Sequence, residues 1–197
     1  MRRLIWVVVV LLGLVMMGVT LPGEKPYWIE TPIYKILYSP VLEQPLRVEY
    51  SPQCALVDIE RRGGFWTDPK YHTSDDRDYR DNVWDKGHMA PAASFNCTPE
   101  MLHMTFSYHN CALQHESLNR GVWSRLEGFE RNLSIFYRVN VVIEPQFSED
   151  SKRLETGATV PDGFWKTISW SDRVVKFYFE NGPTSGRDWH EFIVEQD

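Results

Sequence analysis

The segment that decides the fold reads NCALQHESLNRGVWSRLE and covers residues 110–127. From Leu118 onward, the apolar residues recur at spacings of three and four, which places them on one stripe of an amphipathic helix. The stripe consists of Leu118, Val122, Leu126, Phe129 and Leu133. Ser117 directly precedes it and is a suitable N-cap. We therefore predict a helix that begins after Ser117 and packs its apolar stripe on a sheet.

The opposite face of this helix carries side chains suited to a metal ion and a phosphate. Asn119 lies on the first turn, where free backbone N–H groups and the helix dipole favour an anion. Glu127 follows two turns later, and Arg131 lies four residues beyond it, where the two can pair. Exposed helix faces often carry these residue types, so this face alone does not identify a function.

Short runs with strand-like composition flank the helix on both sides. Leu46–Tyr50 and Ala55–Ile59 precede it, and Ile135–Ile143, Phe164–Trp170 and Val174–Phe179 follow it. Residues 73–82, TSDDRDYRDN, mix acidic and basic side chains, and most of this run is typical of a solvated loop. Strands before and after a central helix predict an α+β domain with a largely antiparallel sheet and packed helices.

The N-terminus has a different character. Arg2 and Arg3 precede an uncharged apolar run at residues 4–21, which is long enough to enter and span a membrane. An A-x-A-like cleavage site is missing, which favours a signal anchor over a cleaved signal peptide. The positive-inside rule then keeps the arginines in the cytosol and sends the globular part across the membrane.

We divide the chain accordingly. Residues 1–23 are predicted as a signal anchor or signal peptide, so that a transmembrane or signal helix precedes the domain. Residues 24–45 are rich in proline and are predicted as a linker or edge segment, and residues 46–197 as one domain. The domain is expected outside the cytosol, in the periplasm, the extracellular space or the mitochondrial intermembrane space.

Charge and cysteine content restrict the class of function further. The net charge of −6 argues against a protein that simply coats nucleic acid, because such binding depends on many Lys and Arg side chains. Cys54, Cys97 and Cys111 are the three cysteines, and a Cys97–Cys111 disulfide is one allowed pairing outside the cytosol. Two of these cysteines, Cys97 and Cys111, and the nearby histidines also leave open a zinc-stabilised, non-enzymatic module. The histidines are His103, His109 and His115.

Three motifs in fixed order produce a resemblance to a known family. They are WDKGHMAPAA at residues 84–93, TFSYHNCALQ at 105–114 and LNRGVWSRLE at 118–127. They resemble the motifs of the DNA/RNA non-specific endonucleases of the ββα-metal (His-Me finger) class. That family carries Asp-Arg-Gly-His, then Thr-Phe-x-x-Ser-Asn-x-x-Pro-Gln, then Leu-Asn-x-x-x-Trp-x-x-Leu-Glu. A weaker likeness at VPDGFWK, residues 160–166, extends the match towards the C-terminus.

The resemblance implies a ββα-metal nuclease fold that cuts DNA and RNA without sequence preference and leaves 5′-phosphate ends, with a homodimer as one assembly. It implies that His88 acts as the general base and that Asn110 holds the His88 region in place. Mg²⁺, or alternatively Mn²⁺, would be bound directly by Asn119 and through water by Glu127. Arg131 would contact the phosphate and neutralise its developing charge.

The chain departs from the family pattern at positions expected to bind substrate. Lys86 replaces an arginine, which keeps the charge but loses the bidentate fork. Arg62 is the nearest counterpart of an upstream arginine that contacts phosphate, and Leu113 replaces a proline. A catalytically inactive relative that binds nucleic acid or a protein is the remaining alternative. Retention of His88, Asn119 and Glu127 together argues against it.

Overall fold

The computed structural model describes residues 25–57, 59–60 and 63–196. The predicted transmembrane or signal helix at residues 1–23, including the membrane contact at 4–21, lies outside the described residues, and so does Arg62. Within the described part, no helix is both long enough and apolar enough to cross a membrane.

Seven strands form one sheet in the order β1-β2-β3-β6-β7-β8-β9, and every neighbouring pair is antiparallel. Most strands alternate buried and more exposed residues, as a sheet with one face on a core requires. The bounds are β1 (Tyr27–Glu30), β2 (Tyr34–Ser39), β3 (Gln44–Tyr50), β6 (Val139–Gln146), β7 (Gly163–Trp170), β8 (Arg173–Glu180) and β9 (Ile193–Gln196). The predicted α+β domain with a largely antiparallel sheet is confirmed.

A separate two-stranded ribbon leads directly into the central helix. The strands β4 (Trp84–His88) and β5 (Cys111–His115) pair antiparallel, with His88 opposite Cys111. The short helix α1 (Pro99–Thr105) lies in the connection between them. From β5 the chain continues through α2 (Glu116–Leu118), a π-helical turn (Asn119–Trp123) and α3 (Ser124–Ser134). Two strands followed at once by a helix form a ββα unit.

The apolar stripe of the helix packs on the sheet, as predicted. Leu118, Val122 and Leu126 are fully buried, and Phe129 and Leu133 pack at the margin of the same core. Trp123 is also fully buried, with ring centroids 5.5 Å from Phe164 and 5.4 Å from Phe179.

A buried ion pair joins α3 to the middle of the sheet. Lys166 Nζ on β7 lies 2.5 Å from Glu130 Oε1, and both side chains are fully buried. The Tyr50 hydroxyl donates to Glu130 Oε2 at 2.6 Å, and Lys166 Nζ lies 4.2 Å above the Trp123 ring. Since a buried charge is costly without its partner, this network fixes the position of α3.

The ion pair predicts a non-additive effect on stability. Lys166→Met should lower the free energy of unfolding by about 3–5 kcal/mol, because Glu130 would remain buried without its countercharge. Lys166→Met combined with Glu130→Gln should recover much of that loss, since the amide still accepts from Tyr50. Urea unfolding of both single variants and the double variant measures the coupling. Simple addition of the two single effects would contradict this account.

His109 is buried among tyrosines near the edge of the sheet. Its ring centroid lies 4.9 Å from that of Tyr38 and 5.4 Å from that of Tyr71, and its Nε2 is 3.1 Å from the Tyr27 hydroxyl. Burial lowers the pKa of His109 from its ordinary value of 6.5 to about 4. The folded protein therefore holds His109 neutral at a pH where the unfolded chain protonates it.

This lowered pKa predicts acid destabilisation. Between pH 6.5 and about 4, the unfolded chain binds more protons at His109, so the free energy of unfolding falls as pH drops, by at most about 1.4 kcal/mol per pH unit. His109→Gln should flatten that part of the curve, measured by urea unfolding at several pH values. His190→Gln, at an exposed histidine, should keep the wild-type slope. An unchanged slope in His109→Gln would refute the assignment.

The helix begins differently from the prediction. Ser117 is not the N-cap; His115 Nδ1 accepts from the Ser117 backbone N–H at 3.1 Å. The Ser117 hydroxyl accepts instead from the Thr184 backbone N–H at 2.9 Å. The reason is that β5 enters the helix without a loop, so that the capping position falls on the last strand residue.

The disulfide joins a different pair from the Cys97–Cys111 pairing that the sequence allowed. Cys54 bonds to Cys97, and Cys111 is a buried free cysteine inside β5. The predicted strand Ala55–Ile59 is not found in its described residues, which form a turn beside this disulfide. The backbone N–H groups of Gln53 and Cys54 both donate to the Ser94 carbonyl, which holds the turn against the connection between β4 and β5.

Two further segments differ from their predicted extent. The segment predicted as a linker or edge, 24–45, contributes β1 at the edge of the sheet and β2 beside it. Pro45 lies within β3 where the register with β2 shifts, a place where a strand tolerates proline. The predicted strand Ile135–Ile143 starts only at Val139, because α3 runs to Ser134 and an exposed turn follows.

Candidate active site

His88 is the last residue of β4 and is half-buried between two phenylalanines. Its ring centroid lies 4.9 Å from that of Phe65 and 5.0 Å from that of Phe106, which meets it edge-on. The rings restrict the orientation of the imidazole.

Asn110 forms hydrogen bonds to the backbone directly after His88. Its Oδ1 accepts from the Ala90 N–H at 2.8 Å, and its Nδ2 donates to the carbonyls of Ala90 at 2.8 Å and Thr105 at 3.0 Å. Its own carbonyl accepts from the Met89 N–H at 2.9 Å. Asn110 is fully buried. These contacts are what a residue holding the His88 segment in place would make, although its role in activity stays a prediction.

Gly87 is required by close packing within the ribbon. A Cβ built at this position would lie 2.5 Å from Gln114 Oε1 and 2.6 Å from Gln114 Cβ. Gln114 is fully buried on β5 and cannot move into solvent. The glycine and the glutamine of the two sequence motifs are therefore one packing unit that sets the position of His88.

Gly87→Ala should consequently destabilise the protein by about 1–3 kcal/mol, as overpacking of a buried contact does. Gly64→Ala is a matched control, because a Cβ there meets no atom within 4 Å. Urea unfolding of the two variants provides the comparison, and equal stabilities would show that the ribbon can absorb the methyl group.

Asn119 lies against the strand that carries His88. Its Nδ2 donates to Asp85 Oδ2 at 2.8 Å, and Asp85 precedes His88 by three residues on β4. Arg120 holds the same carboxylate through two bonds, Nε to Oδ2 at 2.8 Å and Nη2 to Oδ1 at 2.6 Å. The hydrogen bond from Nδ2 to Asp85 thus orients the Asn119 amide. Its Oδ1 could then bind a cation.

The helix is distorted at this residue. Asn119 starts the π-helical turn, and Gly121 within it has the non-helical angles φ −101 and ψ −112. Single π-turns of this kind recur at functional sites because they displace a side chain from the regular spacing. Helical spacing alone could not reveal this irregularity, because the apolar stripe of the segment is regular.

Glu127 and Arg131 lie further along the same helix. Glu127 is half-buried on α3, and burial raises its pKa to about 7. The Lys166 ammonium acts against this shift, whereas the neighbouring Glu130 carboxylate adds to it. The Arg131 side chain folds back along the helix towards Gly128, whose added Cβ would lie 3.7 Å from Arg131 Nη2.

The donor set suits a hard cation that keeps most of its water. The helix offers an amide oxygen at Asn119 and a carboxylate at Glu127, and Mg²⁺ commonly binds through few protein ligands. In the part of the chain that the structure describes, no group of three or more His, Cys, Asp or Glu could hold a metal ion. The zinc-module alternative also loses Cys97, which is bonded to Cys54.

The ammonium group of Lys86 lies close to aromatic rings. Its Nζ is 5.1 Å from the ring centroid of Phe65 and 5.4 Å from that of Tyr108, and it forms an ion pair with Asp76. The Tyr108 hydroxyl donates to the same Asp76 oxygen at 2.5 Å. Sequence reasoning missed Asp76, because it interpreted most of the acidic run as a solvated loop.

The described site residues are thus gathered around the ribbon and the helix that follows it. His88 and Lys86 lie on β4, Asn119 is bonded to that strand, and Glu127 and Arg131 follow on α3. Arg62 lies outside the described residues, so its assignment to substrate binding stays a prediction.

A histidine that ends one strand and an amide side chain that begins the following helix define a site of the ββα type. The sequence model of the DNA/RNA non-specific endonuclease family matches residues 15–197. The chain belongs to this family.

Individual relatives match over shorter stretches. The nuclease of Serratia marcescens is 29% identical over 124 residues, covering 57% of this chain and 46% of that protein. Mitochondrial endonuclease G of Homo sapiens is 36% identical over 78 residues, covering 39% of this chain and 26% of that protein. The chain therefore spans less than half the length of these relatives.

A solved structure extends the comparison to the fold. The structure described as the EndoG/EndoGI complex superposes with a TM-score of 0.76 at 22% identity. The superposition covers 88% of this chain and 82% of that chain. The likeness establishes a shared α+β fold built on a mostly antiparallel sheet.

Proposed function

We propose that this protein is a metal-dependent endonuclease that hydrolyses phosphodiester bonds of DNA and RNA with little regard to sequence and leaves 5′-phosphate ends. The observation that carries the proposal is the bond between Asn119 and Asp85, which joins the helix to the strand that ends in His88. Membership of the DNA/RNA non-specific endonuclease family supports the same activity.

His88 is assigned as the general base. An imidazole can take a proton from water near neutral pH, and the attack of that water on phosphorus requires such an acceptor. The flanking rings of Phe65 and Phe106 hold His88 in one orientation, and Asn110 fixes the backbone that follows. The base is therefore held in position before substrate arrives.

Asn119 is assigned as the direct ligand of Mg²⁺ or Mn²⁺, and Glu127 as its partner through water. The ion would supply positive charge to the phosphate and to the departing oxygen. Asp85 holds the Asn119 nitrogen, which keeps the amide oxygen turned away from that bond. Arg120 in turn neutralises Asp85, so the carboxylate does not compete strongly for the cation.

The cationic side chains are assigned to the substrate backbone. Arg131, Lys86 and Arg62 would contact phosphate oxygens, which every nucleotide presents alike. Contacts of this kind position the strand without distinguishing bases, which accounts for low sequence preference.

We also propose that the protein works outside the cytosol, anchored to a membrane or exported. The Cys54–Cys97 disulfide supports this location, because such bonds persist in oxidising compartments. The anchor at residues 4–21 and a homodimeric assembly stay predictions.

The proposal is tested on the full chain with plasmid DNA and total RNA. His88→Ala should lower kcat by about 10²–10⁴, the usual contribution of a general base. Asn119→Ala should raise the Mg²⁺ concentration needed for half-maximal rate, and EDTA should stop cleavage.

His190→Ala is the matched control, because this histidine is exposed and paired with Asp188 in the C-terminal segment. It should cut at the wild-type rate. Wild-type cleavage that persists in EDTA, or full activity of His88→Ala, would remove the assigned mechanism.

A further inference from the structure

An open hollow of about 550 Å³ lies on the Phe65 side of the site, and the proposed reaction does not use it. Phe65, Trp66 and Tyr108 supply aromatic surface, and Asp76 and Arg77 supply charge. The Phe65 ring contacts both the hollow and His88, with a centroid distance of 4.9 Å to the imidazole. Only the Phe65 ring therefore separates the hollow from His88, the proposed general base.

Trp66 is held rigidly in the lining of this hollow. Its ring lies nearly parallel to His103, with centroids 5.3 Å apart and an interplanar angle of 15°, and its Nε1 donates to the His103 carbonyl at 3.0 Å. Its backbone bonds to Phe106 and Tyr108, both at 3.0 Å. Because the indole is already ordered, a planar ligand that stacks on it pays little for fixing the side chain.

The charges of the hollow disfavour a phosphate. Lys86 is paired with Asp76, and Arg77 with Asp75 at 2.8 Å, so each of these cations already has a carboxylate partner. Asp76 keeps 69% of its side chain exposed and presents negative charge to any ligand. A carboxylate repels a phosphate, but it accepts hydrogen bonds from amino groups such as that of cytosine.

We propose that this hollow binds the unpaired nucleobase next to the scissile phosphate, stacked on Trp66 and Phe65 with its amino edge at Asp76. The inference rests on the proposed function and specifies its substrate. In a duplex each base is paired and stacked, and it must leave the helix before it can enter such a hollow. The protein therefore prefers single-stranded nucleic acid, or strands that open easily.

The first test compares cleavage of one oligonucleotide sequence as a single strand and as a duplex. Wild type should cut the single strand faster. Trp66→Ala should lower kcat/KM for the single strand by about tenfold, the scale of one lost base–aromatic stack, with little effect on the duplex. Trp28→Ala, at a tryptophan with 47% exposure on β1, should behave as wild type.

Asp76→Asn is a second variant that does not depend on the integrity of the Trp66 packing. It removes the carboxylate that offsets the charge of Lys86, so Lys86 would hold the substrate phosphate more strongly and duplex cleavage should increase. The log–log dependence of binding on salt should steepen by about one unit. An unchanged ratio of single-strand to duplex cleavage in both variants would overturn the inference.

Binding measurements in the His88→Ala background separate the inference from the proposed reaction. Fluorescence anisotropy should show tighter binding of a short single strand than of the same strand with abasic sites, and Trp66→Ala should abolish the difference. Equal binding of the intact and the abasic strand by His88→Ala would refute the hollow as a nucleobase-binding site. Absence of cleavage by wild type, with base-dependent binding intact, would refute only the catalytic proposal.

Discussion

The antiparallel pairing of β4 with β5 is the constraint on which the site depends. β4 ends in His88, and β5 continues without a loop into the helix that carries Asn119. A shift of one strand along the other would move the imidazole relative to the helix. The fixed register of the ribbon prevents such a shift. The Asp85–Asn119 bond closes this unit from the other side, since it ties the first helical turn back to β4. The close contact of Gly87 with Gln114 shows how little freedom the ribbon has.

The ribbon alone cannot fix the far end of the helix, and the large sheet does so. Apolar packing of the stripe supplies most of the contact, but non-directional packing tolerates small rotations of a helix. The Lys166–Glu130 pair and the Tyr50 hydroxyl add directional bonds in the middle of this interface. Such a buried pair is costly to assemble and specifies position more than it adds stability. Glu130 lies one helical turn from Glu127, so the ion pair fixes the helix close to the carboxylate of the proposed metal site.

The sequence predicted the parts of the molecule that depend on local spacing. The amphipathic stripe from Leu118 and the three strands predicted after the helix followed from periodicity and residue type, whereas the site motifs came from the family resemblance. The Cys54–Cys97 disulfide and the bond between Ser117 and Thr184 did not, because both join residues distant in sequence. The proline-rich segment before residue 46 concealed two strands for a related reason. Its prolines fall outside β1 and β2, but a segment with this many prolines resembles a linker in sequence.

The placement of Asp76 changes how the acidic character of the chain should be understood. A net charge of −6 means that affinity for nucleic acid cannot come from a general positive surface. It must come from a few local groups, and Asp76 offsets part of the charge of one of these, Lys86. Stacking of a base on an aromatic ring does not depend on the net charge of the protein, so it adds affinity where electrostatic attraction is weak. The proposed metal site would then hold the phosphate backbone beside His88, and the nucleobase stacked in the hollow would supply the remaining affinity.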